Sequence, residues 1–174
     1  FGKGCYVLDH GEGFAATMAD ANTLIVGTGE AMMYGHNVLG EGSTRFTIPS
    51  GMQGKKRAHI AVIRYTKDRD GAERTEAVVV SGEPVDDGVP GDPEWHSESI
   101  LDGATVSDMP LYRVVTDGIN AGDPVRLFET HAGSMHDMDV DNVTDGVLSK
   151  EHGGTGLSAS PSMLVNLGST AAAN

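Results

Sequence analysis

Short apolar runs recur along the first 130 residues, each cut by glycine or a polar cluster: "CYVLD" at 5–9, "NTLIVG" at 22–27, "EAMMYGHNVLG" at 30–40 and "TRFTIP" at 44–49. A turn signal at roughly every eight to twelve residues marks a meander of antiparallel strands. "IVGTGEAMMYG" at 25–35 predicts a hairpin through Thr28 and Gly29. "AHIAVIRYTKD" at 58–68 is apolar on both faces from Ile60 to Ile63, the pattern of a strand covered on both sides. "RDG" at 69–71 turns the chain and "TEAVVVSG" at 75–82 returns it, which predicts a further hairpin.

Residues 83–108 combine proline with dense Asp, Glu and Gly. Proline removes ladder donors and fixes a backbone torsion, so this stretch predicts a long surface loop. "MPLYRVVTDGI" at 109–119 and "DPVRLFETH" at 123–131 restore strands, with Leu111, Arg113 and Val115 on one face and Tyr112 and Val114 on the other. From His131 the chain turns polar and acidic, "HAGSMHDMDVDNVTDGVL", and reads as a connector leading out of the body. In "SPSMLVNLG" at 160–168, Ser160 is placed to cap a helix, Pro161 to open it and Gly168 to end it, while Met163, Leu164 and Leu167 share one side. Two helical turns are unstable alone in water, so this stripe must dock, either on its own domain or, the expectation favoured here because the polar connector leads away from the core, on copies of the same chain. The pattern therefore predicts an all-β antiparallel sandwich body at 1–130, a connector at 131–149, and an oligomerising segment with a small helix at 150–174.

Composition narrows the partners. The 174 residues carry 24 glycines and a net charge of -13, with pI near 4.7. Such a field repels phosphate and anionic lipid, which argues against nucleic acid and membrane insertion. The one basic cluster, Lys55-Lys56-Arg57, is too small for a phosphate-tracking groove and reads as a solvated turn. One cysteine, Cys5, forms no intrachain bridge, so the fold must stand without disulfides, as suits assembly in a reducing cytoplasm. Phe1 in place of an initiator methionine predicts a processed or truncated piece.

Motifs for chemistry are incomplete. "DMDVDN" at 137–142 sets Asp137, Asp139 and Asp141 at the alternate spacing of a calcium loop, making them weak metal candidates. Asn142 stands where such a loop needs glycine, and Leu148 where it needs a bidentate glutamate. His131, His136 and His152 lack metal-ligand spacing. "HGGTG" at 152–156 is similar to an esterase oxyanion segment, yet no Gly-x-Ser-x-Gly nucleophile turn accompanies it. No enzyme and no cofactor is expected. Trp95, the only tryptophan, is read as anchoring the acidic loop on the core or as a platform for a sugar ring.

"HGGTG" followed by "SPSMLVNLGSTAAAN" resembles the Gly-Gly-Thr-Gly segment, with its downstream Asn-Leu-Gly and small-residue run, of bacteriophage tail-fibre and other virion appendage proteins. "FGKGCYVLDHG", the run from Ile48 to Pro84, and "ILDGATVSDMPLYRV" with "LFET" are similar in order to the N-terminal regions of phage tail or baseplate receptor-binding fibres. The resemblance implies a virion-located structural subunit linking the particle to a trimeric fibre shaft used in host attachment. Its implied partners are copies of itself in a homotrimer, other tail or baseplate proteins, and a host-surface glycan through a region beyond this chain. Gly153, Gly154 and Gly156 would permit close approach of the chains, and Met163, Leu164 and Leu167 would supply apolar contact. The alternatives are a carbohydrate-binding receptor-recognition module, a polysaccharide-cleaving virion enzyme, and a head-decoration or head-fibre protein.

Overall fold

A computed structural model describes residues 4–131. The chain divides into two compact units, Phe1–Gly133 and Ser134–Asn174, and the described residues belong to the first. The helix expected at 160–168 lies outside them.

The body is all-β. Its strands are β1 (Cys5–Leu8), β2 (Ala16–Asp20), β3 (Thr23–Val26), β4 (Gly29–Met33), β5 (His36–Gly40), β6 (Thr44–Thr47), β7 (Lys56–Lys67), β8 (Glu73–Ser81), β9 (Val106–Asp117), β10 (Asn120–Ala121), β11 (Val125–Arg126) and β12 (Thr130–His131). They form three sheets, ordered β12-β1-β4-β5, β2-β3-β6 and β10-β9-β7-β8, with β11 also paired to β9. Every pairing is antiparallel except that of β12 with β1. A 3-10 turn at Ile100–Asp102 is capped by the Ser99 hydroxyl, which accepts from the Leu101 amide at 3.2 Å.

The sheets meet in one core, as a sandwich. Val7, Ala31 and Met33 come from the first sheet, Leu24, Val26 and Phe46 from the second, and Ala61, Ile63, Leu111 and Val114 from the third. Strand β7 is buried on both faces from Ala58 to Ile63, a span that includes the run from Ile60 to Ile63 expected to be covered on both sides. Its odd residues face this core. On the other side, Ile60 lies opposite Arg113, which binds Asp92 and the Pro90 carbonyl, so the 82–105 segment lies along that face. A second tie is ionic: Arg64 donates to both Asp108 oxygens at 2.7 and 2.8 Å, and Asp108 exchanges backbone and side-chain bonds with His96. Trp95 is half-buried within that segment.

The hairpin expected through Arg69 and Gly71 forms, closed by the Asp68 amide donating to the Ala72 carbonyl at 3.0 Å. The one expected through Thr28 and Gly29 does not. Strand β3 pairs with β2 and β6, whereas β4 pairs with β1 and β5, so Thr28 marks a crossing between sheets. The tight turn is instead Tyr34-Gly35, both at positive φ (48° and 88°), the conformation that a two-residue hairpin loop requires.

Four further expectations are corrected. The acidic segment ends at Thr105, and Val106, Ser107 and Asp108 already belong to β9. Pro110 is tolerated inside that strand because it borders a bulge, Ala61 pairing with Tyr112 and Val62 with Pro110. The extra residue is Leu111, which turns into the core beside Tyr112 and Val114 and leaves the Arg113 face it was assigned to. "DPVRLFETH" is two short strands, β11 and β12. Lys56 and Arg57 open β7, and the basic cluster is held by neighbours: Lys55 by Asp86, Lys56 by Asp117 and Arg57 by the Gly82 carbonyl.

Candidate functional site

Gly153, Gly154, Gly156, Met163, Leu164 and Leu167 lie outside the described residues, as do Asp137, Asp139, Asp141, His136 and His152. His131 closes β12, its ring 5.0 Å from that of Tyr6. Among the described residues no group of three metal-ligating side chains gathers.

What the described residues do assemble is an apolar slot, and it begins with Phe14. In "DHGEGF" at 9–14 the chain must reverse between β1 and β2, and it does so with Gly11, Gly13 and Phe14 all at positive φ. That region suits glycine but strains a bulky side chain, so the surroundings must hold Phe14 there. They do. Its amide donates to the Thr28 carbonyl at 3.0 Å, and the Tyr112 hydroxyl donates to its carbonyl at 3.0 Å. Glu12 locks the same turn by accepting from the Thr28 amide and hydroxyl at 2.8 and 3.1 Å.

The Phe14 ring then lies against two paired glycines, Gly29 of β4 and Gly40 of β5. A Cβ at either would stand 2.7 Å from the ring, so a side chain at either position forces the ring from its seat. Above this seat opens a cavity of about 150 Å³ walled by Phe14, Val26, Phe46, Ile63, Ala77 and Leu111. Its rim is built from β5, β6 and β8, each the terminal strand of its own sheet. Their outward backbone groups make no bond to another strand among the described residues. Leu39, 56% exposed, stands at the mouth.

A second hollow of about 180 Å³ between β5 and β8 shares Val38 and Thr75 with the first. Its far end is polar. Glu73 accepts from Lys67 at 3.0 Å, and the bonds from Lys67 and then Tyr65 hold its carboxyl below the usual range. The same contact raises Lys67. Both are thereby fixed in their charged forms, the opposite of a proton donor and acceptor poised near neutrality. His36 adds a ring 5.6 Å from that of Tyr65.

A second polar cluster is sealed inside. His59 is fully buried in β7, with Nδ1 2.8 Å from the Ser81 hydroxyl and Nε2 3.3 Å from that of Thr116. Burial first, and nearby Arg57 second, push its pKa down to about 4, so the ring is neutral at pH 7. Every buried side-chain nitrogen and oxygen among the described residues has a partner, so no polar atom there waits on a ligand. Sequence reading missed the slot because its two seat glycines look like turn glycines, and missed His59 because a lone histidine in an apolar strand carries no spacing signal. In comparisons with protein-family models, curated proteins and solved structures, nothing matches this chain.

Proposed function

We propose that this chain is a non-catalytic structural subunit of a bacteriophage appendage, a tail fibre or related organ that links the particle to a trimeric shaft used in host attachment. The observation that carries the reading is the gathering of three open strand edges, β5, β6 and β8, around one apolar slot. Open edges beside a hydrophobic groove suit protein assembly, because backbone pairing supplies affinity and the groove supplies selectivity. The order of the resembling segments along the chain points the same way, and the acidic surface suits a virion surface better than a nucleic-acid groove.

In this reading the trimer is held by the stripe of Met163, Leu164 and Leu167, with Gly153, Gly154 and Gly156 giving room for close approach. The test is the solution mass of the full chain against a chain stopped at Leu148. A trimer that becomes a monomer on shortening is expected. Two monomers at high micromolar concentration would end the trimer reading.

A further inference from the structure

We infer that the open edge of β8 pairs with the same edge of a second copy of this chain, antiparallel about a two-fold axis at Thr75. The pairing sets Arg74 of each copy opposite Glu76 of the other. It goes beyond the assembly role proposed above and uses no residue of the tail.

The backbone comes first. Among the described residues β8 bonds to β7 and to no other strand. Glu73 to Ala77 are exposed, whereas Val78 to Ser81 are already partly covered, so the free ladder is the N-terminal half. At the two ends of the β7–β8 pairing, the Asp68 amide donates to the Ala72 carbonyl and the Gly82 amide to the Ala58 carbonyl. The register between them is unbroken. Even-numbered β8 residues therefore bond to β7, and Glu73, Thr75 and Ala77 point their amides and carbonyls outward. When such a strand meets its own copy, opposed residues must both point out or both point in. Their numbers share parity, and the two-fold passes through a residue.

Charge selects the residue. A two-fold at Glu73, Arg74 or Glu76 sets that side chain against its own copy, and like charges directly opposite are destabilising. At Ala77 it sets Arg74 against Val80 and Glu76 against Val78, inside the partly covered half. At Thr75 the outward residues bond to one another, Glu73 to Ala77 and Thr75 to Thr75. Arg74 and Glu76 then fall at the non-hydrogen-bonded positions, where side chains stand closest.

The sheet is prepared for this partner. Asp108 of β9, Arg64 of β7 and Glu76 of β8 stand opposite one another across its outer face, alternating in sign. That row reaches the open edge on a carboxylate, and Arg74 of the copy continues it. Within its own chain Arg74 reaches only Asp68, at 3.8 Å, and Glu76 is in no ion pair among the described residues. Charges on an edge deter indiscriminate pairing, and these leave one register open. A two-fold contact cannot close a ring of three, so it joins chains of different trimers.

The test is cross-linking of the full 174-residue chain, with Cys5→Ser removing the native thiol and Thr75→Cys placing one at the axis. A short bis-maleimide is added at about 0.5 mM protein, since a contact of this size binds weakly. A denaturing gel then separates covalent dimers from any trimer held by the tail. Thr75→Cys should give a dimer at least about tenfold faster than Glu73→Cys, because a rise of roughly 3.4 Å per residue puts the two copies of position 73 more than about 13 Å apart. Adding Arg74→Glu or Glu76→Arg to Thr75→Cys should slow it about tenfold. Mixing those two variants should restore it as a mixed dimer, since one copy then carries two acids and the other two bases. Equal rates at Thr75 and Glu73, indifference to either charge reversal, or no rescue on mixing folded variants each overturns the inference. The comparison of Thr75 with Glu73 needs neither charge variant, so it decides the matter even where those fail to fold. Rapid cross-linking of an otherwise monomeric chain would sink the trimer and leave the β8 contact standing, and a trimer without cross-linking would do the reverse.

Discussion

At the scale of single residues, the body is sensitive where ionisable groups have left water. His59 has a folded pKa of about 4 against an ordinary value of 6.5, so the unfolded chain binds the extra proton between those limits. Stability from keeping the ring neutral is complete above pH 6.5, declines as pH falls toward 4, and is gone below it. The loss is at most about 3 kcal/mol. Thermal melts of wild type and His59→Gln across pH 4 to 7 should show a shallower acid slope in the variant; parallel slopes would remove His59 from the account. Asp108 is the second case, with a fully buried carboxylate forked to Arg64. Asp108→Ala leaves the partly exposed Arg64 and the His96 amide without their acceptor, and should cost about 1–3 kcal/mol in urea unfolding. Arg64→Met combined with Asp108→Leu should recover only part of that, because the His96 amide also loses its acceptor.

Elements are set by a few glycines and one bulge. Gly29→Ala drives a methyl group into the Phe14 ring and should destabilise by about 1–3 kcal/mol, the range for overpacking a core. Gly42, in the β5–β6 connection, has open space around it and no positive φ, so Gly42→Ala should be neutral or slightly stabilising in the same melts. Equal effects at the two sites would mean that Phe14 has no fixed seat. Much at this scale was legible beforehand. The β7–β8 hairpin was written in an apolar run, a turn and a second apolar run, all local in sequence. The face of Leu111 was not, because strict alternation fails once a bulge inserts one residue, and only the partner strand reveals it. Strand β8 also carries Glu73, Arg74 and Glu76 on its N-terminal half, the usual protection of an open edge, while Ala77, Val78, Val79 and Val80 follow without it.

For the molecule as a whole, mass action separates the body from assembly. Among the described residues the buried core runs from Val7 to Phe128, and a chain stopped at Leu148 keeps these residues. If the tail associates, the full chain's melting midpoint should rise with protein concentration while that of the shortened chain stays constant, since binding that favours the folded state stabilises by mass action. Concentration-independent melts for both would argue against assembly through the tail. By itself the sequence determined the all-β class, the doubly buried central strand and the acidic surface, because alternation, glycine spacing and net charge are local or additive properties of the chain. Only the tertiary structure decided that β3 and β4 part into different sheets, that Phe14 is held at positive φ over two glycines, and that three strand edges share one slot. Those facts arise from contacts between residues far apart in sequence, which no local pattern encodes.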